Sequence, residues 1–269
     1  MSLKPTPRDW RRALLDARQG LAAWHVWSLL AITDIRQRYK RSRVGPFWIT
    51  LSMAAFVGGI GVVYSTLFKQ EIGTYLPYLA TNYVIWTLLQ GIVTDATTVF
   101  INSGVYLRQE AMSKTLFAMR LIARNMIMLA HNIIIIPVVY ILMGFTPGWA
   151  TLLAIPGLIL VLLAAYPVVM LIGMVSTRFR DMPVIIQNIL QIAFFLTPVM
   201  WRVDQLGAAA PFVVGFNPFA IFLRVVSEPL QGRIPSLWTW GVAVLMIIIL
   251  YAITAPLFAR LRARIVYWL

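Results

Sequence analysis

NMIMLAHNIIIIPVVYILMGFTPGWATLLAIPGLILVLLAAYPVVMLIGMVST, Asn125 to Thr177, runs without a single Asp, Glu, Lys or Arg. A helix crosses the hydrocarbon layer of a bilayer in about 20 residues. The run is too long for one crossing, and Gly144, Pro147 and Gly148 supply a turn inside it. It therefore divides into two predicted crossings, at 122–143 and 150–177.

Outward from this run the same pattern repeats. Toward the N-terminus, 47–68 is free of charge, and 76–102 is interrupted by Asp95 alone. Toward the C-terminus, 183–201 and 236–259 are again long enough to cross. Composition agrees, with 60% of the 269 residues hydrophobic and 12% charged, against about 25% charged in an ordinary soluble domain. A water-soluble fold of this size could not bury so much apolar surface, so lipid has to cover it.

Between the last two runs, 203–230 is apolar but broken by Gly207, Pro211, Gly215 and the Asn217-Pro218 pair. Short helices that dip into the outer leaflet, shielded from lipid by protein, fit it better than a continuous crossing. The expected fold is an all-α integral membrane protein, with residues 1–269 as one domain. It has six transmembrane helices, an N-terminal amphipathic interfacial helix within a cytoplasmic segment 1–45, and short re-entrant helices at 203–230 between crossings five and six.

The formal charge of +14 raises the question of nucleic acid. The basic residues argue against it, because they sit between apolar runs instead of forming one stripe. Nineteen Lys and Arg fall before Gly45, between Arg108 and Arg124, at Arg178 and Arg180, and after Ala259, against four at Lys69, Arg202, Arg224 and Arg233. The positive-inside rule then places both termini in the cytoplasm. The first apolar run begins only after Pro46, so no cleavable leader is expected and the first crossing directs insertion. No internal repeat relates the two halves, so two-fold symmetry around a path would have to come from a second copy of the chain.

Two stretches outside the crossings are amphipathic. Leu21 to Arg43 repeats Leu21, Trp24, Leu29, Ile32, Ile35 and Tyr39 at roughly helical spacing and ends in a basic cluster, a pattern suited to the membrane interface or to anchoring the first crossing. The loop Asn102 to Arg124 contains GVYLRQEAMSKTLFAMR, in which charges mix with Leu107, Met112, Leu116 and Phe117. A short helix there can dock on a soluble partner or rest on lipid.

Chemistry of its own is sparse. The chain has no cysteine, no GxxxxGK[ST] phosphate loop and no HExxH, so neither a thiolate metal site nor nucleotide hydrolysis is expected from it. Apart from Arg124 at the very start of 122–143, Asp95 and His131 are the acidic, basic or histidine residues inside predicted crossings, where such groups are costly and are functional candidates by default. Asp95 is expected to pair with a basic residue of the interfacial helix or loop, or to make a packing hydrogen bond. His131 is expected to bond between helices. Aromatic residues run through crossings two and five, where they either stack on sugar rings or pack and anchor the helices.

Three segments together resemble the ABC-2-type polysaccharide (O-antigen, capsule or teichoic acid) export permeases. They are RYKRSRVGPFW at Arg38–Trp48, RFRDMPVIIQNILQIAFFLTPVMW at Arg178–Trp201 and NPFAIFLRVV at Asn217–Val226. With the six-crossing layout, the resemblance covers nearly the whole chain. It implies a channel of two copies in the bacterial cytoplasmic (inner) membrane, served by two separate ATPase subunits that hold ATP and Mg, with no cofactor or metal and no enzymatic activity in this chain.

The resemblance also implies roles for residues. Lipid-linked polysaccharide would pass Tyr64, Tyr78, Tyr83, Trp86, Phe194, Phe195 and Trp201. Leu107, Arg108, Glu110 and Lys114 would meet the ATPases. Trp24, Trp27, Arg38, Tyr39, Lys40 and Arg41 would form an interfacial gate, with Arg178, Arg180 and Asp181 in a second cytoplasmic loop, and 203–230 would gate the outer mouth. A permease for lipid or drug export, a membrane-embedded glycosyl- or acyltransferase and a structural scaffold are the alternatives.

Overall fold

The computed structural model describes residues 5–40, 44–110 and 112–269. Among these residues every regular element is helical and there is no strand. Four helical stretches are long and apolar enough to cross a membrane: Phe47–Leu67, Lys114–Met143, Trp149–Arg178 and Leu237–Leu261.

The chain opens with two helices where one was expected. α1, Pro7–Ala22, starts on a reciprocal cap in which Thr6 and Asp9 satisfy each other's backbone N–H, with Pro7 in the first turn. It breaks at Ala23, and α2, Trp24–Tyr39, follows. The amphipathic segment placed at Leu21–Arg43 thus begins inside α1. Arg41, Ser42 and Arg43 lie outside the described residues.

α3, Phe47–Leu67, turns back into α4, Ile72–Ala96. At 25 residues α4 is as long as the crossings, roughly 38 Å at 1.5 Å per residue, but Thr, Asn, Gln and Asp dilute its apolar character. It tolerates them because it forms the centre of the bundle, packed against α3 and the later long helices. Trp86, Tyr75, Leu79 and Ile85 on it are fully buried.

α5, Gly104–Gln109, leads to α6, Lys114–Asn132, and α7, Ile135–Met143, which continue one another almost without a break. α7 stops at Gly144, whose φ of +66 is the left-handed cap that glycine adopts without a Cβ penalty. The expected turn in the long uncharged run is therefore where the sequence placed it. A single turn of 3₁₀-helix, Trp149–Leu153, feeds α8, Ala154–Arg178.

α9, Met182–Leu196, is shorter than the expected 183–201. Thr197 is extended, with φ −96 and ψ 138, because the ring of Pro198 disfavours helix at the residue before it. At 15 residues α9 is about 22 Å long, short of the roughly 30 Å hydrocarbon layer. The next segment forms a 3₁₀ stretch, Val203–Ala209, then α10, Ala210–Val214, and α11, Pro218–Leu230. Asn217 caps α11 by accepting from the Phe219 and Ala220 amides at 3.0 and 3.3 Å. α12, Leu237–Leu261, and α13, Ile265–Trp268, complete the chain.

One continuous core runs from α4 into α6, α8 and α11, with Phe100, Phe117, Met170 and Leu223 fully buried. The outer faces of α3, α7, α8, α9 and α12 carry Val62, Ile141, Leu163, Ile192 and Ile248 exposed. Apolar surface spread over so many faces suits lipid and not water.

Candidate functional site

Functional geometry gathers at both ends of the bundle. At the end holding α1 and α13, the carboxylate of Asp16 is fully buried, at 0% exposure. The first amides of a helix lack intrahelical acceptors, and at α6 the partner comes from another helix. The Lys114 amide donates to Asp16 Oδ2 at 3.2 Å and the Thr115 amide to Oδ1 at 3.0 Å, while Ser113 Oγ donates to Oδ1 at 2.8 Å. Arg262, just past α12, adds its Nε to Oδ2 at 2.8 Å. Burial pushes the carboxyl of Asp16 up, but the Thr115, Arg262 and Ser113 hydrogen bonds outweigh it and hold the group below its ordinary value.

α1 can lie this close because residue 20 is glycine. A Cβ there would stand 2.5 Å from Cβ of Thr115, a distance that would force α1 away from its contact. α1, α6 and α12 thus meet at one carboxylate.

One helical stretch further in, Asp34 of α2 takes Nε of Arg120 at 2.9 Å. Arg124 reaches Asp34 at 3.5 Å and Asp95 at 2.8 Å, and Asn125 Nδ2 donates to the same Asp95 oxygen at 2.9 Å. Asp95 therefore has both expected kinds of contact, a packing hydrogen bond and an ion pair with Arg124, the last residue of the 102–124 loop, which the structure folds into α6. His131 instead bonds within its own helix, to the Ile127 carbonyl at 2.8 Å. Its backbone oxygen accepts from Thr50 of α3 at 3.0 Å.

The expected coupling residues divide by environment. Leu107 is buried, whereas Arg108 on α5 and Glu110 just past it are exposed beside exposed Val105 and Tyr106. Lys114 is buried at the Asp16 cap. Arg178, Arg180 and Asp181 are exposed. Arg180 donates to the Trp268 carbonyl at 3.2 Å, and the Arg178 guanidinium lies 5.9 Å from the Trp268 ring, which docks α13 on this loop.

Trp24, Arg38 and Lys40 of the expected gate are exposed, and Trp27 and Tyr39 are half-buried. Arg41 is outside the described residues. A cavity of about 420 Å³ lies between Asp34, Arg38, Tyr39, Ile49 and Arg124.

At the opposite end, two tyrosines hold the turn after α9. Tyr75 donates its hydroxyl to the Met200 carbonyl at 2.7 Å, and Tyr78 donates to those of Trp201 and Pro198 at 2.6 and 2.9 Å. Tyr78 is consequently buried. Trp86 is buried too, with its Nε1 donating to Gln90 at 2.7 Å.

Tyr83 and Phe194 are half-buried and join Trp86 in one aromatic group. Phe56 stacks on Tyr83 at 4.2 Å, and Phe194 lies 6.4 Å from Tyr83 and 5.4 Å from Trp86. Phe195 is 65% exposed. Trp201 donates Nε1 to the Phe195 carbonyl at 2.9 Å, and Tyr64 packs on Phe68. Sequence reasoning missed Phe56 and the anchoring role of Tyr75, because only their partners on distant helices mark them. Among the described residues no group of three or more His, Cys, Asp or Glu gathers to hold a metal ion.

Among the described residues this arrangement offers cross-linked helices, aromatic surface and exposed basic loops. The pattern of the ABC-2 type transporter family matches residues 25–230. The chain belongs to the ABC-2 type transporter family. Similar proteins include an O-antigen export system permease protein RfbA of Klebsiella pneumoniae, 23% identical over 200 residues, or 71% of this chain and 75% of that protein. A second Klebsiella pneumoniae protein of the same name is 22% identical over the same shares, and one from Myxococcus xanthus is 20% identical over 69% and 72%. As an ABC-2 permease the chain is a multi-pass membrane protein of a family that works with ATPase partners.

Proposed function

We propose that this ABC-2 permease is the channel-forming subunit of an ATP-driven exporter that moves lipid-linked polysaccharide, of O-antigen or capsule type, across the bacterial inner membrane. The observation that carries this reading is the alignment with O-antigen export permeases over 71% of the chain. Two copies form the channel, and two ATPase subunits supply the ATP and Mg chemistry. Six crossings are assigned to α3, α4, α6 with α7, α8 with its 3₁₀ turn, α9 with the following turn, and α12. The short helices of 203–230 sit in the outer leaflet. The nineteen-to-four distribution of Lys and Arg supports a cytoplasmic position for both termini.

In this reading the exposed face of α5 with Arg108, Glu110 just past it, and the 178–181 loop meet the ATPases. Asp16 and Asp34 tie α1 and α2 to α6, so a push on α5 reaches the helices that frame the path. Phe194, Phe195 and Tyr83 give the polymer broad, weakly directional contact. Tyr78 and Trp86, buried within one copy, hold those walls in place.

The test is deletion of the gene, followed by locating the surface polysaccharide. Lipid-linked polymer of normal composition trapped in the cytoplasm, with none outside, supports export. No polymer at all identifies a synthetic enzyme, and normal surface polymer identifies a lipid or drug exporter; either outcome refutes the reading.

A further inference from the structure

At the end of the bundle away from α1, a cavity of about 230 Å³ lies between α4, the turn after α9 and the C-terminal half of α11. Its charged lining is Arg202, Arg224 and Arg233 against Asp204 and Glu228. Arg224 is committed to Glu228, Nε to Oε1 at 2.5 Å. Asp204 is left to balance two arginines, so the cavity has an excess of positive charge.

Its unmet hydrogen bonds have the same character. Arg202 is held in place, donating to the Thr74 carbonyl at 3.1 Å with its guanidinium 5.4 Å from the Tyr78 ring, yet its Nε is buried with no partner. Asn82 is 2% exposed. Its Oδ1 accepts from Gln231 at 3.3 Å, while its Nδ2 is buried with no partner. Buried polar groups are nearly always satisfied, and an orphan calls for an explanation. Both orphans here are N–H donors, and both belong to residues of one cavity wall.

We propose that this cavity binds a phosphate-type oxyanion, with Asn82 Nδ2 and Arg202 Nε as donors and the exposed Arg233 supplying charge at the rim. Water could fill the space, which corresponds to several molecules at about 30 Å³ each, and could meet the donors. Only an anion also meets the excess charge. Two sources supply this chemistry, an anionic lipid headgroup and a phosphate in solution. The site does not depend on which polymer is exported, since binding is a property of the chain alone.

The full-length chain, purified in phosphate-free dodecyl maltoside, is titrated with inorganic phosphate while thermal unfolding is followed by tryptophan fluorescence. Sodium chloride at equal ionic strength is the control. A parallel titration adds phosphatidylglycerol, with uncharged diacylglycerol as its control. Saturable stabilisation is expected from at least one probe, weakened about tenfold by Asn82→Leu, as for the loss of one hydrogen bond to a charged group, and weakened by Arg233→Gln, which removes the rim charge. A response to phosphate identifies a soluble source, and a response to phosphatidylglycerol alone identifies the lipid. No response beyond the controls, or one that survives both substitutions, overturns the proposal. Arg233 is on the exposed rim, so its variant decides the matter even if Asn82→Leu fails to fold.

Discussion

At the end of the bundle holding α1, the helices are joined by charge. Asp16 gathers two backbone amides, a hydroxyl and Arg262, and Asp34 and Asp95 share Arg120, Arg124 and Asn125. At the far end no ion pair joins the described helices to one another: the hydroxyls of Tyr75 and Tyr78 donate to backbone carbonyls of the turn after α9, and Arg202 donates to the Thr74 carbonyl. A buried ion pair is costly to break from one side because it strands the other charge. A tyrosine hydroxyl bond is worth about 1 kcal/mol and leaves no charge behind when lost. The charged end is therefore built to keep its registry, and the tyrosine end can shift at small cost.

Asp16→Ala tests the contrast most severely. It strips the cap from α6 and strands Arg262, with an expected loss of about 3–5 kcal/mol, visible as collapse of the monodisperse peak in size-exclusion chromatography of the solubilised protein. A normal peak and unchanged melting temperature would place the registry elsewhere.

Arg120→Ala removes one partner of Asp34 but leaves Arg124 within 3.5 Å, so a loss of about 1–2 kcal/mol is expected. It should appear as a lower melting temperature with folded yield retained. Tyr78→Phe should cost about 1 kcal/mol and loosen only the 197–202 turn, seen as faster hydrogen exchange there and unchanged exchange at α6. Equal loosening at both ends would erase the distinction drawn here.

The smallest effect is in pH. The carboxyl of Asp16 titrates below its unfolded value of 3.8, so its contribution is full above that value and is lost as pH falls through the lower, folded one. Asp16→Asn should flatten this part of the acid stability profile, and an unchanged acid limb would show that other groups set it.

The long apolar helices were legible because nothing but lipid suits an uncharged run such as Asn125–Thr177, and Gly144 fixed its turn. α1 was passed over because Arg8, Arg11, Arg12 and Arg18 mask its apolar stripe, although Thr6, Pro7 and Asp9 already spell a helix start. The end of α9 was legible in principle from Pro198. Asp16 was beyond reach, since its partners lie 97 to 246 positions away and pairings of that range leave no local pattern. Of the residues expected along the path, an aromatic side chain was readable but its direction was not. Tyr78 and Phe195 look alike in sequence, yet one is anchored inside and the other faces out.

The bond between Asp16 and Arg262 also sets an order in time. Asp16 leaves the ribosome early, its α6 partners follow, and Arg262 arrives 246 residues after it, roughly 12–50 s later at 5–20 residues per second. Until then the nascent protein holds a carboxylate whose ion-pair partner Arg262 has yet to be made. The residue that ends α12 closes that site, so the growing chain reaches its settled form only when synthesis has passed residue 262.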